Sequence, residues 1–468
     1  MMKKVRYFIS ALLIAAMPAS LLSCSSKEDA PKYSKELDTS VREEIHKNAA
    51  ESDLLTGDKL ENGVIKWLSD WDINPDGTGK NVPTDLAVFQ ERYGGTVKYY
   101  KCTYENRYDK LAEYINSDEG IDFFYGGNLD AFPNGAIKKI FAPIDDYIDF
   151  DSPLWEDVKD LNDSFIWNGR HYMAGVQATG DKVGVIYNRK TVAEAGLEDP
   201  ADLFAKGEWD WDAFENMLEQ YVDPSKQRYG IDGWWFEFGL MNTIGIPPVS
   251  LENGKLVSNI GDPSMERVQN WLYELSQKGY VAIGSEDLGW EAKPAYIGEG
   301  KTLFYPAGLY EFYKEKSQWS KTFGNDAFFV PMPKDPKADE YYIPTGFEAY
   351  MFVSGGSNPE GVAKYLDCKR FTHLDEDTKA LADKQFTDDY GWSQEMLDMK
   401  NSMQELAEEN PVIDISKGIS DDCGELLDDS LRKAARGTPW NETYESIYAT
   451  VDKYLEKINA APDAADIE

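Results

Sequence analysis

The three histidines of this 468-residue chain, His46, His171 and His373, stand far apart, and none belongs to an HExxH or other metal-ligand spacing. No GxSxG elbow occurs, and no cysteine sits where it would act as a nucleophile. Two segments imitate ligand loops. Gly300-Lys301-Thr302 ends like a phosphate-binding loop, but the first glycine of that motif would fall at Ala295. Asp72, Asn74, Asp76 and Gly77 begin like a calcium loop, yet its twelfth position is Pro83 and Pro75 interrupts it, so a polar turn is the simpler reading. Asp145-Asp146 and Asp421-Asp422 are expected neighbours in a chain with 84 acids. Glycosidase carboxylates must instead flank a bond at about 5 to 10 Å in space, which sequence adjacency does not provide. These absences point away from an enzyme, a metal site or a cofactor, and the scarcity of His and Cys argues against a transition-metal cargo.

The informative surplus is aromatic. Trp67 to Asp72, Tyr125-Gly126-Gly127-Asn128, Trp234-Trp235-Phe236, Tyr305-Pro306 and Trp392 place rings in segments that read as loops. A sugar offers a C–H face to such rings and hydroxyls to acids and amides at their rim. The candidate ligand-binding residues are therefore Asp70, Trp71, Asp72, Tyr125, Asn128, Gln177, Trp234, Trp235, Tyr305, Tyr310, Glu348 and Trp392, with Trp67 assigned to the core.

The elements that would hold them follow from local pattern. Val64 to Leu68 reads as a strand, Asp85 to Tyr93 as a helix closed by Gly94-Gly95, and Thr96 to Tyr104 as a second strand. Asn106 would cap a helix through Ser117, before a third strand at Ile121 to Phe124. This βαβαβ run opens a parallel, doubly wound sheet, whose ligands sit beyond the carboxyl ends of strands, here just after Leu68 and Phe124. Lys35 to Ala50 has the spacing of a short amphipathic helix. Asp262-Pro263, Asn358-Pro359 and Thr438-Pro439 start further helices, and the last carries one apolar stripe from Tyr444 to Ile458.

The N-terminus has a basic start (Lys3, Lys4, Arg6), an apolar run from Ile9 to Leu22 interrupted by Ser10 and Pro18, and small residues before Cys24. That is a secretory signal over residues 1–23, too short and broken for a membrane span. Leu21-Leu22-Ser23-Cys24 resembles the lipobox of bacterial lipoproteins, which implies cleavage before Cys24 and lipid on it; an ordinary secretory signal with an incidental cysteine is the alternative. Residues 24–59 then form a polar tether and extension. The formal charge is −36, and loss of the leader makes the mature chain more acidic still. Such a surface repels nucleic acid and anionic lipid heads, so the lipid would supply the membrane attachment. Cys102, Cys368 and Cys423 leave room for one disulfide but no framework. The length calls for two domains.

Four ordered stretches carry a wider likeness. Tyr172 to Gln177 followed by Tyr187-Asn188-Arg189-Lys190 and Ala195-Gly196-Leu197 is the first, with Gly175 where the pattern usually has proline. Trp209 to Phe214, Tyr296 to Phe304, and Val330-Pro331-Met332-Pro333 with Ser354 to Ala363 complete the set. From about Gly63 to Asn459 the chain resembles the maltose-binding-protein-like solute-binding proteins of ABC importers. The resemblance implies an α/β, two-lobed periplasmic-binding-protein-like fold with doubly wound sheets, hinge crossovers and a ligand cleft between the lobes. It places lobe one at 60–180 plus 347–405, lobe two at 181–346 plus 406–460, and a tail at 461–468, with turn-prone Thr179-Gly180-Asp181 and Pro344-Thr345-Gly346 near the crossings. It implies a lipid-anchored, monomeric, non-enzymatic receptor that closes on a carbohydrate and presents it to a permease. The alternatives are a surface glycan-binding or sensory lipoprotein of the same fold, and a receptor for a non-sugar solute.

Overall fold

A computed structural model describes residues 39–73, 82–117 and 120–460; the leader, Cys24, Asn74, Asp76 and the 461–468 tail lie outside them. After a helix at Thr39–Glu51, strand β1 (Val64–Ser69) buries Ile65, Trp67 and Leu68. The helix Thr84–Tyr93 buries Leu86, Val88, Phe89 and Tyr93, and Gly94 ends it at a φ of 69°, a left-handed geometry that suits glycine. Strand β2 spans Thr96–Lys101 and is shorter than its pattern, because the Asn106 side chain turns back to accept from the Thr103 N–H at 2.8 Å. That bond competes with capping, and Asn106 makes no side-chain bond into the helix Arg107–Asn116. Strand β3 is Phe123–Tyr125, and the order β2-β1-β3 is parallel, as the βαβαβ reading requires.

Strand β4 (Phe141–Ala142), a hairpin of β5 (Ile166–Trp167) and β6 (Arg170–His171), and β7 (Ala174–Thr179) follow. The chain then leaves for a second sheet built from β8 (Gly184–Asn188), β9 (Tyr229–Ile231), β12 (Thr302–Ala307) and β13 (Ala327–Pro331), with a hairpin of β10 (Val249–Glu252) and β11 (Lys255–Ser258) outside it. Its order is β13-β8-β12-β9, and β8 runs antiparallel to both neighbours, so the later chain does not repeat the parallel winding of the start. Only β12 and β9 pair in parallel. Strand β14 (Gly346–Val353) returns to the first sheet and pairs antiparallel with β3, β4 and β7. The caps expected at Asp262 and Asn358 form, accepting from Ser264 and Gly361.

The helix Gln394–Glu409 packs against both β7 and β13. It runs unbroken through residues 405 and 406, and its Met403 and Ala407 are buried. The Gln404 side chain donates to the Ala178 carbonyl, which ties this helix to the end of β7.

Two buried polar groups fasten the first sheet. Asp122, almost fully buried, accepts from the backbone of Lys66 (2.8 Å), Ser357 (2.5 Å) and Asn358 (2.8 Å) and from the Ser357 hydroxyl (3.0 Å). Lys369 reaches from the helix Pro359–Leu374 to Glu348 on β14 at 2.6 Å and pairs with Asp85 on the helix Thr84–Tyr93. Burial alone would push the Glu348 carboxyl up, but Lys369 and His373 beside it hold it well below the usual carboxylate range. Burial disfavours the Lys369 cation, and the facing Asp85 and Glu348 carboxylates raise it well above the ordinary lysine range.

Asp122→Ala leaves several buried donors without an acceptor and should cost about 3 kcal/mol in urea unfolding, with Asp122→Asn losing less because its amide oxygen still accepts. A depressed carboxyl contributes stability that is complete above its unfolded pKa and is lost as pH falls below it. The advantage of the native chain over Glu348→Gln should therefore hold at neutral pH and shrink as pH drops below about 4.5, followed by denaturant midpoints across pH 3 to 7.

Candidate functional site

Neighbouring parallel strands β1 and β3 release their carboxyl ends side by side, and the residues beyond them meet. Trp67, buried in the core, donates its indole N–H to the Trp71 carbonyl at 3.0 Å and so fixes the turn after β1. The Trp71 ring, 41% exposed, stands edge-on to Tyr125 with centroids 6.1 Å apart. Tyr125, half-buried, donates its hydroxyl to the Phe347 carbonyl at 2.9 Å. Burial, then the Asp181 and Glu348 carboxylates, push its phenol up, so it stays neutral. Asp70 and Asn128 are exposed beside these rings, and Asp72 is half-buried.

Where the chain crosses between sheets, polar groups form a floor. Gln177 donates to Glu348 at 3.1 Å, and Gln404 reaches the Gln177 oxygen at 3.4 Å. Asp181 accepts from the Thr179 and Tyr313 hydroxyls, each at 2.6 Å. Glu348 also holds Lys369, His373 and the Tyr350 hydroxyl. Gln177 and Glu348 are thus committed to partners within the protein and shape the floor.

On the second sheet, Trp234 and Trp235 are 43% and 38% exposed. They begin the helix Phe236–Asn242 after Gly233, whose φ is 103° and whose place a Cβ would share with the Pro306 carbonyl at 2.7 Å, so only glycine lets the pair turn out of the sheet. The Asp232 carboxylate accepts from the Gly233 N–H at 2.7 Å and the Lys293 N–H at 2.8 Å. It thereby holds the 285–293 loop beside the tryptophans, and that loop carries Trp290 at 67% exposure and a φ of 64°. A bulky residue in left-handed backbone is rare. Tyr310 is 52% exposed; burial of its hydroxyl, then the Glu311 charge, raise its phenol.

The two sides also touch. A Cβ on Gly418 would lie 1.9 Å from the Phe132 carbonyl and 2.5 Å from that of Leu129, so the 416–418 turn abuts the loop that carries Asn128. Lys417 in that turn lies 5.5 Å from the Trp235 ring centre.

Two expected site residues belong to the core. Trp392, 6% exposed, donates its indole N–H to the Phe312 carbonyl at 3.2 Å and packs among Phe329, Phe386 and Tyr313. Tyr305, 8% exposed, lies on β12 against Phe323. Neither offers a ring face. Trp290, Gln404 and Asp181 carried no local signal of a site, since their placement depends on loops and crossings. Among the described residues no group of three or more His, Cys, Asp or Glu converges to hold a metal ion. No described helix is long and apolar enough to cross a membrane.

Residues 74–368 match the family described as bacterial extracellular solute-binding protein. A solute-binding protein of an ABC transporter from Thermotoga lettingae, bound with α-D-tagatose, shares the fold at a TM-score of 0.58 and 15% identity, covering 84% of this chain and all of that one. A cyclo/maltodextrin-binding protein complexed with maltotetraose aligns at 0.57 and 15% over 86% of this chain and 99% of its own. An ABC substrate-binding protein from Listeria monocytogenes in complex with cycloalternan aligns at 0.56 and 16%, covering 84% and 99%. No curated protein matches the sequence. The family and these structures are binding proteins, not enzymes. With two sheets joined by crossings, aromatic rings exposed on both and the family's match over most of its length, this chain belongs to the bacterial extracellular solute-binding proteins.

Proposed function

We propose that the chain captures a carbohydrate between its two lobes by hinge closure and delivers it to the permease of an ABC importer. The carrying observation is aromatic rings on both sheets, exposed Trp71 edge-on to half-buried Tyr125 on the first and exposed Trp234, Trp235 and Tyr310 on the second, with Asp70, Asp72 and Asn128 in the turns that carry the first pair. Each ring face contributes about 0.5 to 1.5 kcal/mol beyond area burial, and micromolar affinity requires about −8 kcal/mol, so several rings must engage together. The sugars named with the similar structures from other organisms support this choice of solute. In this reading 60–180 with 347–405 forms one lobe and 181–346 with 406–460 the other, and the helix Gln394–Glu409 spans their boundary.

Calorimetry of the mature chain against a broad panel of neutral and acidic mono- and oligosaccharides should find a binder, whereas binding of amino acids, peptides or polyamines alone would overturn the sugar assignment. With that binder, Trp71→Ala or Trp235→Ala should weaken affinity tenfold or more, at least about 1.4 kcal/mol; unchanged affinity in both would place the platforms elsewhere.

The same reading has the mature chain begin at Cys24 and carry lipid there, as a monomer held at the outer face of a membrane with residues 24–59 as tether. Cys24→Ala should abolish labelling by a palmitate analogue and release the protein from the membrane fraction.

A further inference from the structure

The parallel run β2-β1-β3 has three carboxyl ends, and the sugar reading uses only those of β1 and β3. Strand β2 lies beside β1 with Lys101 opposite Ser69, and the Cys102 N–H extends the pairing to the Ser69 carbonyl at 2.9 Å. The two strands therefore stop level. Trp71 follows Ser69 by two residues, and Tyr104 follows Lys101 by three. Neighbouring strands lie about 4.8 Å apart, so the end of β2 is offset sideways by about the width of one sugar ring.

Local bonds turn Tyr104 out of the strand. Asn106 accepts from the Thr103 N–H at 2.8 Å, and its own N–H donates to the Thr103 hydroxyl at 3.3 Å, which bends the chain between them. Tyr104 stands on that bend and is 48% exposed. Its ring is nevertheless held. The Arg107 guanidinium lies over one face, 3.7 Å from the ring centre, and donates to the Tyr104 carbonyl. Arg107 is buried and pairs with Asp130, whose other oxygen accepts from the Tyr108 hydroxyl at 2.6 Å. Asp130 follows Asn128 by two residues in the turn that leaves β3, and the Leu129 N–H closes that turn on the Gly126 carbonyl at 2.9 Å. One carboxylate thus ties the Tyr104 bend to the end of β3, where Tyr125 and Asn128 stand.

A lone exposed ring needs no explanation, but a ring backed by a buried, paired arginine is built to stay in one orientation. Such a ring loses little freedom when a ligand stacks on its open side. We propose that Tyr104 is the platform for a second sugar residue, so that the solute is an oligosaccharide laid across the strand ends, with one ring at Trp71 and Tyr125 and the next at Tyr104. This rests on the carbohydrate reading above and narrows it, since a monosaccharide held at Trp71 would leave Tyr104 in water.

The test compares sugars that differ in length alone. Calorimetry of the mature chain would follow malto-, xylo-, manno- and galacto-oligosaccharides of one to four residues, with the series of any other sugar that the broad panel finds. In the series that binds, the disaccharide or a longer member should bind tenfold or more tightly than the monosaccharide. Tyr104→Ala should cut that gain at least fivefold and leave monosaccharide affinity unchanged, and Tyr104→Trp should retain most of it. Because the gain is a ratio measured on one folded protein, partial loss of stability cannot imitate the effect. Equal affinity for every length, a gain that Tyr104→Ala leaves intact, or a loss shared equally by the monosaccharide would overturn the proposal and leave the carbohydrate reading standing. Failure of every sugar in the panel to bind would remove both.

Discussion

Strand β14 is the constraint on which the rest of the molecule depends. It pairs with β3, β4 and β7, and its first residue, Gly346, lies opposite Thr179. The intervening chain builds all of the second sheet before β14 can complete the first. Such non-local pairing is entropically costly to close, and only deep burial offsets it. Seven of the eight residues of β14 are buried, and the one that is not, Glu348, is engaged by Lys369, His373, Tyr350 and Gln177. The strand therefore meets the core by apolar area along its length and by an ion pair at its one polar position.

The same strand fixes the geometry of the cleft. Its pairing with β7 ends at Thr179 and Gly346, so both strands run out where the chain changes sheets. The adjacent Asp181 is bound by Thr179 and Tyr313, and Gln404 joins Gln177 to the helix Gln394–Glu409, which touches both sheets. A Cβ on Gly180 would lie 2.2 Å from the Met403 carbonyl, so this helix is seated directly on the crossing. In the proposed closure the lobes would turn about these crossings, with that helix as the shared element.

What was legible in the sequence was what local pattern controls. The alternation and caps around β1, β2 and β3 predicted a parallel sheet, and the rule that ligands sit past strand ends selected Trp71 and Tyr125, which do meet. Caps written in neighbouring residues, at Asp262 and Asn358, were readable for the same reason. Trp392 and Tyr305 were not, because an aromatic in an apparent loop looks alike in sequence whether its ring faces solvent or fills a core. For Trp392 the difference is made by Phe312 and Phe386, distant in sequence and invisible to a local reading. The antiparallel setting of β8 was hidden likewise, since strand direction within a sheet follows from the path of the chain and not from residue period.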